Sequence, residues 1–277
     1  MVSKIIRLLI MITTFGILGA YALGQADSLP WQTIGIVISA IIGALITFLL
    51  EALETHGQGR ITWFKSKILY HNKDLYLSFS YLYRIEIDGK YLLIRGHRMR
   101  NRFQAIGGVY KYYPEARRFL NGISANPDTS LAGNTDETDD LRLTIKGQHL
   151  LKFMDWFARM EDREYSPERE FYEELIQPGW LPEDLFRYRH FQYRKAGTHN
   201  VGITKSPVAN SKPEVIYADI FEVSLDDTQK EAVRQALTEH SDELYLASRD
   251  EILNRRKNGS VEMDIANNVP WLIGEVK

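Results

Sequence analysis

Arg169, Glu170, Glu173 and Glu174, in the stretch Arg169-Glu170-Phe171-Tyr172-Glu173-Glu174-Leu175-Ile176, are the residues whose types and spacing carry the most chemistry in this chain. On an α-helix, at about 100° per residue, the three glutamates fall within an arc of about 100°. Phe171, Tyr172, Leu175 and Ile176 share the other side. One face is then anchored in a core while the other offers three carboxylates. Like charges at spacings of three and four repel by about 0.2–0.5 kcal/mol per pair, and a divalent cation reverses that sign. Magnesium, or manganese, suits the site, because it takes hard oxygen ligands and bridges carboxylates to phosphates. The plain alternative is an amphipathic helix with a solvated acidic face, on which Arg169 and Glu173 form a surface pair.

The elements that must position these groups follow from local signals. Ser166 suits an N-cap, Pro167 the first helical position, and Pro178-Gly179 a stop, so a helix is expected over 167–176. A second amphipathic helix is expected over 149–161, with Leu150, Phe153, Met154 and Phe157 on one side. Residues 81–87 and 91–94 are β-branched and aromatic runs joined by Asp88-Gly89-Lys90, a hairpin signal. Residues 102–113 read as a strand region interrupted at Gly107-Gly108, and 125–140, rich in Asn, Asp, Thr and Gly, as a surface insertion. Strands at 185–194 and 215–223, a helix at 227–240 and a final strand and helix from 243 onward complete an α/β or α+β pattern with a mixed sheet.

Phosphate recognition needs donors near the carboxylates. Arg95, His97, Arg98, Arg100 and Arg102 lie beside the glycine pair, and guanidinium forks match phosphate oxygens. A solvated basic loop, or one lying on anionic lipid headgroups, accounts for the same cluster. Arg187, Arg189, Phe191 and Tyr193 alternate along the expected strand, where aromatics could stack a base and arginines pair with phosphate. Cross-strand packing explains that alternation equally well. The chain has no cysteine, which excludes thiolate catalysis, thiolate metal sites and disulfides. Its seven histidines show no metal-binding spacing, and no phosphate-binding glycine loop, dinucleotide fingerprint or nucleophile elbow is present. With 34 basic against 36 acidic residues the formal charge is −2, so no DNA partner is expected and any phosphate contact must be local.

The mean hydropathy of −0.28 hides a concentration of apolar residues at one end. Residues 8–26 carry one acid-free and base-free run and residues 30–50 another, each about the 20 residues that cross hydrocarbon as a helix. Between them lies a short turn around Asp27, Ser28 and Pro30, with Tyr21 and Trp31 nearby as interfacial aromatics. Lys4 and Arg7 precede the first run, Arg60, Lys65 and Lys67 follow the second, and the turn has no Lys or Arg, which places both ends in the cytoplasm. A cleaved signal peptide is the alternative for the first run. Small residues recur at spacing four, Gly16, Ala20 and Gly24 in one run and Gly35, Ser39 and Gly43 in the other. Such stripes let helices pack closely in lipid, either within the hairpin or between copies.

Arg169, Glu170, Phe171, Glu173 and Glu174 match the REUxEE core of the Nudix box, and the stretch resembles that hydrolase superfamily. The resemblance implies that the three glutamates hold magnesium and that Arg169 orients a glutamate by an ion pair. Glu161 falls at the spacing of the box's earlier glutamate, with Asp155 at the glycine position; Ile176 and Gln177 replace the box's last glycine and apolar residue. For a general base the resemblance leaves Glu161 and Glu164 as candidates. The paired glycines that should closely precede the helix stand about 60 residues upstream as Gly107-Gly108, so an insertion splits the box. Together with the two runs, the whole chain resembles the two-transmembrane Nudix effectors associated with CD-NTase enzymes in bacterial CBASS antiphage defence.

The expected organisation is a two-helix N-terminal transmembrane hairpin at 1–52, a juxtamembrane linker at 53–72, and a cytoplasmic α/β Nudix-like domain at 73–277 with an insertion around 109–160. The resemblance implies a multi-pass protein of the bacterial inner membrane, functionally linked to a CD-NTase. Its partners would be a cyclic nucleotide second messenger, the lipid bilayer and, on activation, further copies of itself. The domain either senses that nucleotide or hydrolyses a nucleoside diphosphate derivative, ending in membrane disruption. A membrane-tethered, magnesium-dependent Nudix hydrolase with a housekeeping role is the alternative.

Overall fold

The computed structural model describes residues 42–43, 57–96, 101–127, 139–187, 190–205, 213–257, 260, 262 and 264–274. The chain divides into two compact units, Met1–Ile61 and Thr62–Lys277. Among the described residues no helix is long and apolar enough to cross a membrane. The runs at 8–26 and 30–50, with Gly16, Ala20, Gly24, Gly35 and Ser39, lie outside the described residues except for Ile42 and Gly43, which are helical.

The second unit is organised on one long strand, β1 (Asp74–Ile87). Its apolar residues alternate with polar ones over most of its length, so one face carries most of the core, and Leu82 on the other face serves a second one. Leu75, Leu77, Phe79, Tyr81, Tyr83, Ile85 and Ile87 face the larger core. Leu82 faces a smaller one that is closed by Ile252, Ile265, Val269 and Leu272. The hairpin expected at Asp88-Gly89 forms, and β2 (Lys90–Arg95) returns antiparallel with Ile87 opposite Lys90. Both turn residues have positive φ, 52° and 74°, the conformation that a tight two-residue hairpin needs and that Asp-Gly supplies.

Along one edge of β1 run in succession β6 (Arg142–Lys146), β4 (Gly107–Val109) and β2, all antiparallel. The other edge is taken by β8 (Pro213–Ser224), parallel to β1 from Tyr76 opposite Glu214 to Ile85 opposite Val223. β7 (Gln192–Lys205) closes that side antiparallel to β8, with register shifts at Lys195/Gly197 and Asn200/Ile203. β3 (Phe103–Ala105) and β9 (Leu244–Ala247) pair with β2, and the two residues of β5 (Asn126–Pro127) pair with β6. The result is the mixed sheet expected of an α/β domain.

In chain order the helices are α1 (Gly57–Phe64), α2 (Arg117–Gly122), α3 (Leu150–Ala158), α4 (Glu168–Phe171), α5 (Glu183–Phe186), α6 (Asp227–Glu239) and α7 (Arg249–Asn254). α6 and α7 each start at a reciprocal capping box, Asp226 with Gln229 and Ser248 with Glu251, which satisfies two orphan amides at each helix start. α3 packs Phe153 and Phe157 edge-on against Phe79 of β1, at 5.0 and 4.7 Å.

The insertion is not a separate lobe, since it supplies β5, β6 and α3 to this sheet and core. Its two ends also meet. The Lys111 carbonyl accepts from the Glu164 amide at 2.8 Å, Tyr112 bridges to Arg163, and the Tyr113 amide donates to the Asp162 carbonyl at 2.8 Å. A chain that leaves and returns at one place brings Gly107–Val109 beside the helix that follows residue 164. Sixty residues of sequence therefore separate groups that are neighbours in space.

Candidate functional site

The acidic helix starts at Glu168, one residue later than expected. Ser166 Oγ accepts from the Glu168 amide at 3.3 Å, and the Tyr83 hydroxyl donates to the Pro167 carbonyl from beneath. After Phe171 the helix widens to a π-helical turn over Tyr172–Ile176, closed by the Gln177 amide donating to the Tyr172 carbonyl at 2.8 Å. Such turns concentrate at functional sites because they re-aim side chains. The buried line runs through Phe171 and Leu175 alone. Tyr172, expected in the core, is 48% exposed, whereas Glu174, expected on the open face, is 8% exposed. A single buried line leaves room on its flanks, and Glu170 and Glu174 border it on the side of β4.

Arg169 is the centre of the site. Its guanidinium donates to Glu164 through Nε at 2.9 Å and Nη2 at 3.1 Å, to Glu170 through Nη1 at 2.6 Å, to Glu173 through Nη1 at 3.0 Å, and to the Val109 carbonyl through Nη2 at 3.1 Å. Burial opposes its charge, yet the hydrogen bonds to Glu164 and the charges of Glu170 and Glu164 hold the proton more firmly than in water. β4 supplies the floor. The Gly107 amide donates to Glu174 Oε2 at 2.7 Å. A Cβ on Gly108 would stand 2.0 Å from Glu170 Cδ, so glycine is what lets the carboxylate lie against the strand. Gly107 has φ +135°, and a Cβ there would meet the Tyr81 carbonyl oxygen at 2.2 Å.

Three carboxylates, Glu164, Glu170 and Glu173, therefore bond one guanidinium, and a fourth, Glu174, lies beside them on the Gly107 amide. Burial governs the protonation of two of them. Burial, only partly offset by Arg169, raises the pKa of Glu170 above the usual carboxylate range. Burial pushes Glu174 up to about 8, with Glu170 and Glu173 adding to the rise and the Gly107 amide opposing it. The Tyr81 hydroxyl is buried without a hydrogen-bond partner among the described residues; burial and the Glu164 charge keep it protonated.

Whether a divalent cation fits is decided by the donors. As they stand, no three acidic or histidine side chains among the described residues converge to hold a metal ion. The chemistry nevertheless suits one: hard oxygens only, an unbalanced negative charge, and Glu173, half exposed at 45%, bonded to Arg169 by one surface contact that a rotation breaks. Glu170, Glu173 and Glu174 are the groups that would then hold it.

Of the other sequence candidates, Glu164 lies in this cluster and Arg187 in a groove beside it. Glu161 is exposed and pairs with Arg159 at 3.5 Å, whereas Glu164, the other base candidate, is within the cluster. The strand expected over 185–194 begins only at Gln192, because residues 183–186 form α5. Arg187 thus follows a helix and pairs with Glu183 at 2.8 Å on the surface, Arg189 lies outside the described residues, and Phe191 packs on Phe171 at 4.2 Å. The expected strand face does not form, but Arg187 and Phe191 line one groove with Tyr172 and Phe186. Arg95 donates to the Asp242 carbonyl and rests on the Phe103 ring at 5.0 Å. The Arg102 carbonyl accepts from the Gly96 amide at 2.8 Å, and His97, Arg98 and Arg100 lie outside the described residues.

Sequence reasoning missed Tyr81 and the cross-strand group around Asp219, which accepts from Tyr110 at 3.0 Å, Thr198 at 2.8 Å and Lys195 at 2.6 Å. Alternation in 81–87 could have put Tyr81 and Tyr83 on one face. Nothing local could have set Tyr81 opposite Asp219. Beside the acidic helix, Tyr172, Phe186, Phe191, Arg169 and Glu173 line a groove of about 480 Å³.

The family model of the SMODS-associated NUDIX domain matches residues 74–273. No curated protein and no solved structure matches the chain. The matched span begins with the first residue of β1, ends with the last helical turn at Ile273 and includes the whole Arg169 cluster. It covers well over half of the sequence, and the chain belongs to the SMODS-associated NUDIX domain family.

Proposed function

We propose that this chain is a membrane-anchored effector of a SMODS, or CD-NTase, antiphage system of the CBASS type, whose domain binds a cyclic nucleotide second messenger through a divalent cation. The observation that carries the reading is the charge imbalance around Arg169. Three carboxylates share one guanidinium, a fourth, Glu174, is buried beside them on the Gly107 amide, and burial holds Glu170 and Glu174 above their ordinary pKa. Such a site gains from a divalent cation and, through it, from phosphate. Magnesium or manganese would supply Lewis-acid polarisation of a phosphate oxygen. The chain's own part is to fix the donors: β4 seats Glu170 and Glu174, and Arg169 restrains Glu164 and Glu173.

The test incubates the full chain in lipid vesicles with magnesium and a panel of cyclic and linear nucleotides, then separates bound, free and cleaved species by mass. One cyclic nucleotide should be retained uncleaved, in a magnesium-dependent way, and lost in Glu174→Gln. Equal retention in the variant and in chelator would overturn the assignment.

A second reading, hydrolysis of a nucleoside diphosphate derivative, is favoured by Glu164, a carboxylate 10% exposed within the same cluster and available as a base once Arg169 moves. Turnover lost in Glu164→Gln with binding intact would establish it. In either case the membrane reading rests on the two uncharged runs. Ligand-driven self-association of the hairpins, through Gly16, Ala20, Gly24, Gly35, Ser39 and Gly43, would breach the bacterial inner membrane.

A further inference from the structure

Within the second unit, residues 62–69, the end of α1 and its π-helical continuation Lys65–Leu69, pack on the rest of the unit with their polarity reversed. The residues turned inward are small and polar, Thr62 at 7% exposure and Ser66 at 0%. They are seated by glycines. A Cβ on Gly202 would lie 2.5 Å from Thr62 Oγ1, and one on Gly147 would lie 2.2 Å from the Tyr70 carbonyl oxygen. Lys65 Nζ donates to the Ile203 carbonyl at 3.0 Å and Lys67 Nζ to the Gln148 carbonyl at 3.1 Å. With that side fixed, Trp63, Phe64, Ile68 and Leu69 are turned outward and stay 45%, 41%, 58% and 54% exposed. A helix on a domain bathed in water buries its large apolar residues and exposes its polar ones, the opposite of this arrangement.

We propose that this outward face lies in the boundary between headgroups and acyl chains of a lipid bilayer, as an interfacial helix that seats the domain on the membrane. The inference rests on the membrane-anchored reading above and assigns it a contact surface. Three observations favour lipid as the occupant. The second uncharged run ends at residue 50, only seven residues before α1 begins at Gly57. Trp63 and Phe64 are the aromatic types enriched at the interface or on the apolar side of interfacial helices. From residue 55 to residue 73 the chain carries no Asp or Glu, so even with Lys65 and Lys67 bonded to domain carbonyls the segment is net positive, a sign that matches anionic headgroups.

The absence of cysteine makes the test free of background labelling. Ile68→Cys and Phe64→Cys full-length chains are labelled with an environment-sensitive fluorophore and reconstituted into phosphatidylcholine/phosphatidylglycerol vesicles that carry a shallow spin-labelled lipid. Glu231→Cys, on a side chain 73% exposed in α6, is the control. Flotation reports whether the chain joins the vesicles. Probes at 64 and 68 should be quenched at least twofold more by the spin-labelled lipid than by aqueous iodide, and the control should show the reverse. A chain that floats with both probes open to iodide overturns the interfacial helix and leaves the anchor standing. Probes shielded from iodide but untouched by the lipid quencher place the face against protein and overturn it as well. A chain that does not float overturns both readings.

Discussion

Glu174 is held where its proton is favoured, and that has a sign. Its pKa in the folded chain is about 8, above the ordinary carboxylate value, so the native state binds a proton that the unfolded chain releases. The stabilisation is complete below the unfolded pKa, near pH 4–5, and is lost as pH rises toward 8. Between those limits the metal-free protein should lose up to about 1.4 kcal/mol per pH unit from this group. Urea unfolding from pH 5 to 9 measures it. Glu174→Gln, which keeps an acceptor for the Gly107 amide, should flatten the slope, and an unchanged slope would remove Glu174 as its source. Magnesium should bind more tightly at pH 8 than at pH 6, because it competes with that proton. The two glycines beneath separate fold from function. Gly107→Ala meets backbone at 2.2 Å with φ +135° and should destabilise by about 2–4 kcal/mol. Gly108→Ala meets only the end of the Glu170 side chain and should weaken magnesium-dependent nucleotide binding at least about tenfold while the melting temperature moves little. The glutamates and Arg169 were legible because their spacing lies within two helical turns. Their contacts to Gly107, Gly108 and Val109 were not, since no local pattern encodes an approach across 60 residues.

Among the elements, those legible in sequence were the ones that a short signal forces. Asp88-Gly89 must turn with positive φ, and α6 is fixed by its capping box and period. β7 was misread at its start because 185–194 has strand-like composition, while Leu185 and Phe186 serve the core from a helical turn instead. The parallel pairing of β1 with β8 spans about 140 residues and leaves no local trace. At the insertion's return end, Arg163 is 3% exposed, lies 3.7 Å over the Phe157 ring and donates to the Phe157 and Glu164 carbonyls. Arg163→Met keeps the volume but orphans both carbonyls, and should destabilise by about 2–4 kcal/mol. Because the Glu164 backbone is one of the groups released, nucleotide binding should fall further than stability explains. Thermal unfolding beside a titration well below the lowered melting temperature separates the two; binding that stays at the parent level there would confine Arg163 to a structural part.

For the whole molecule, the proposed function gives ligand recognition to the domain and the site of action to the uncharged N-terminal runs, so a variant can be asked to break one and spare the other. Gly16→Leu and Gly43→Leu add bulk to the small-residue faces without adding charge, and leucine inserts into bilayers at least as readily as glycine. The runs should therefore still enter the membrane, while close helix approach in lipid, which depends on small side chains, is blocked. Ligand-triggered dye release from vesicles carrying the variant chains should fall to the level seen without nucleotide, with cyclic nucleotide affinity unchanged within about twofold, because no residue of the Arg169 cluster is touched. If dye release persists in both variants, association through these faces is not the route. If growth arrest persists in cells that make only residues 57–277, toxicity resides in the domain, and hydrolysis around Glu164 becomes the reading that explains it.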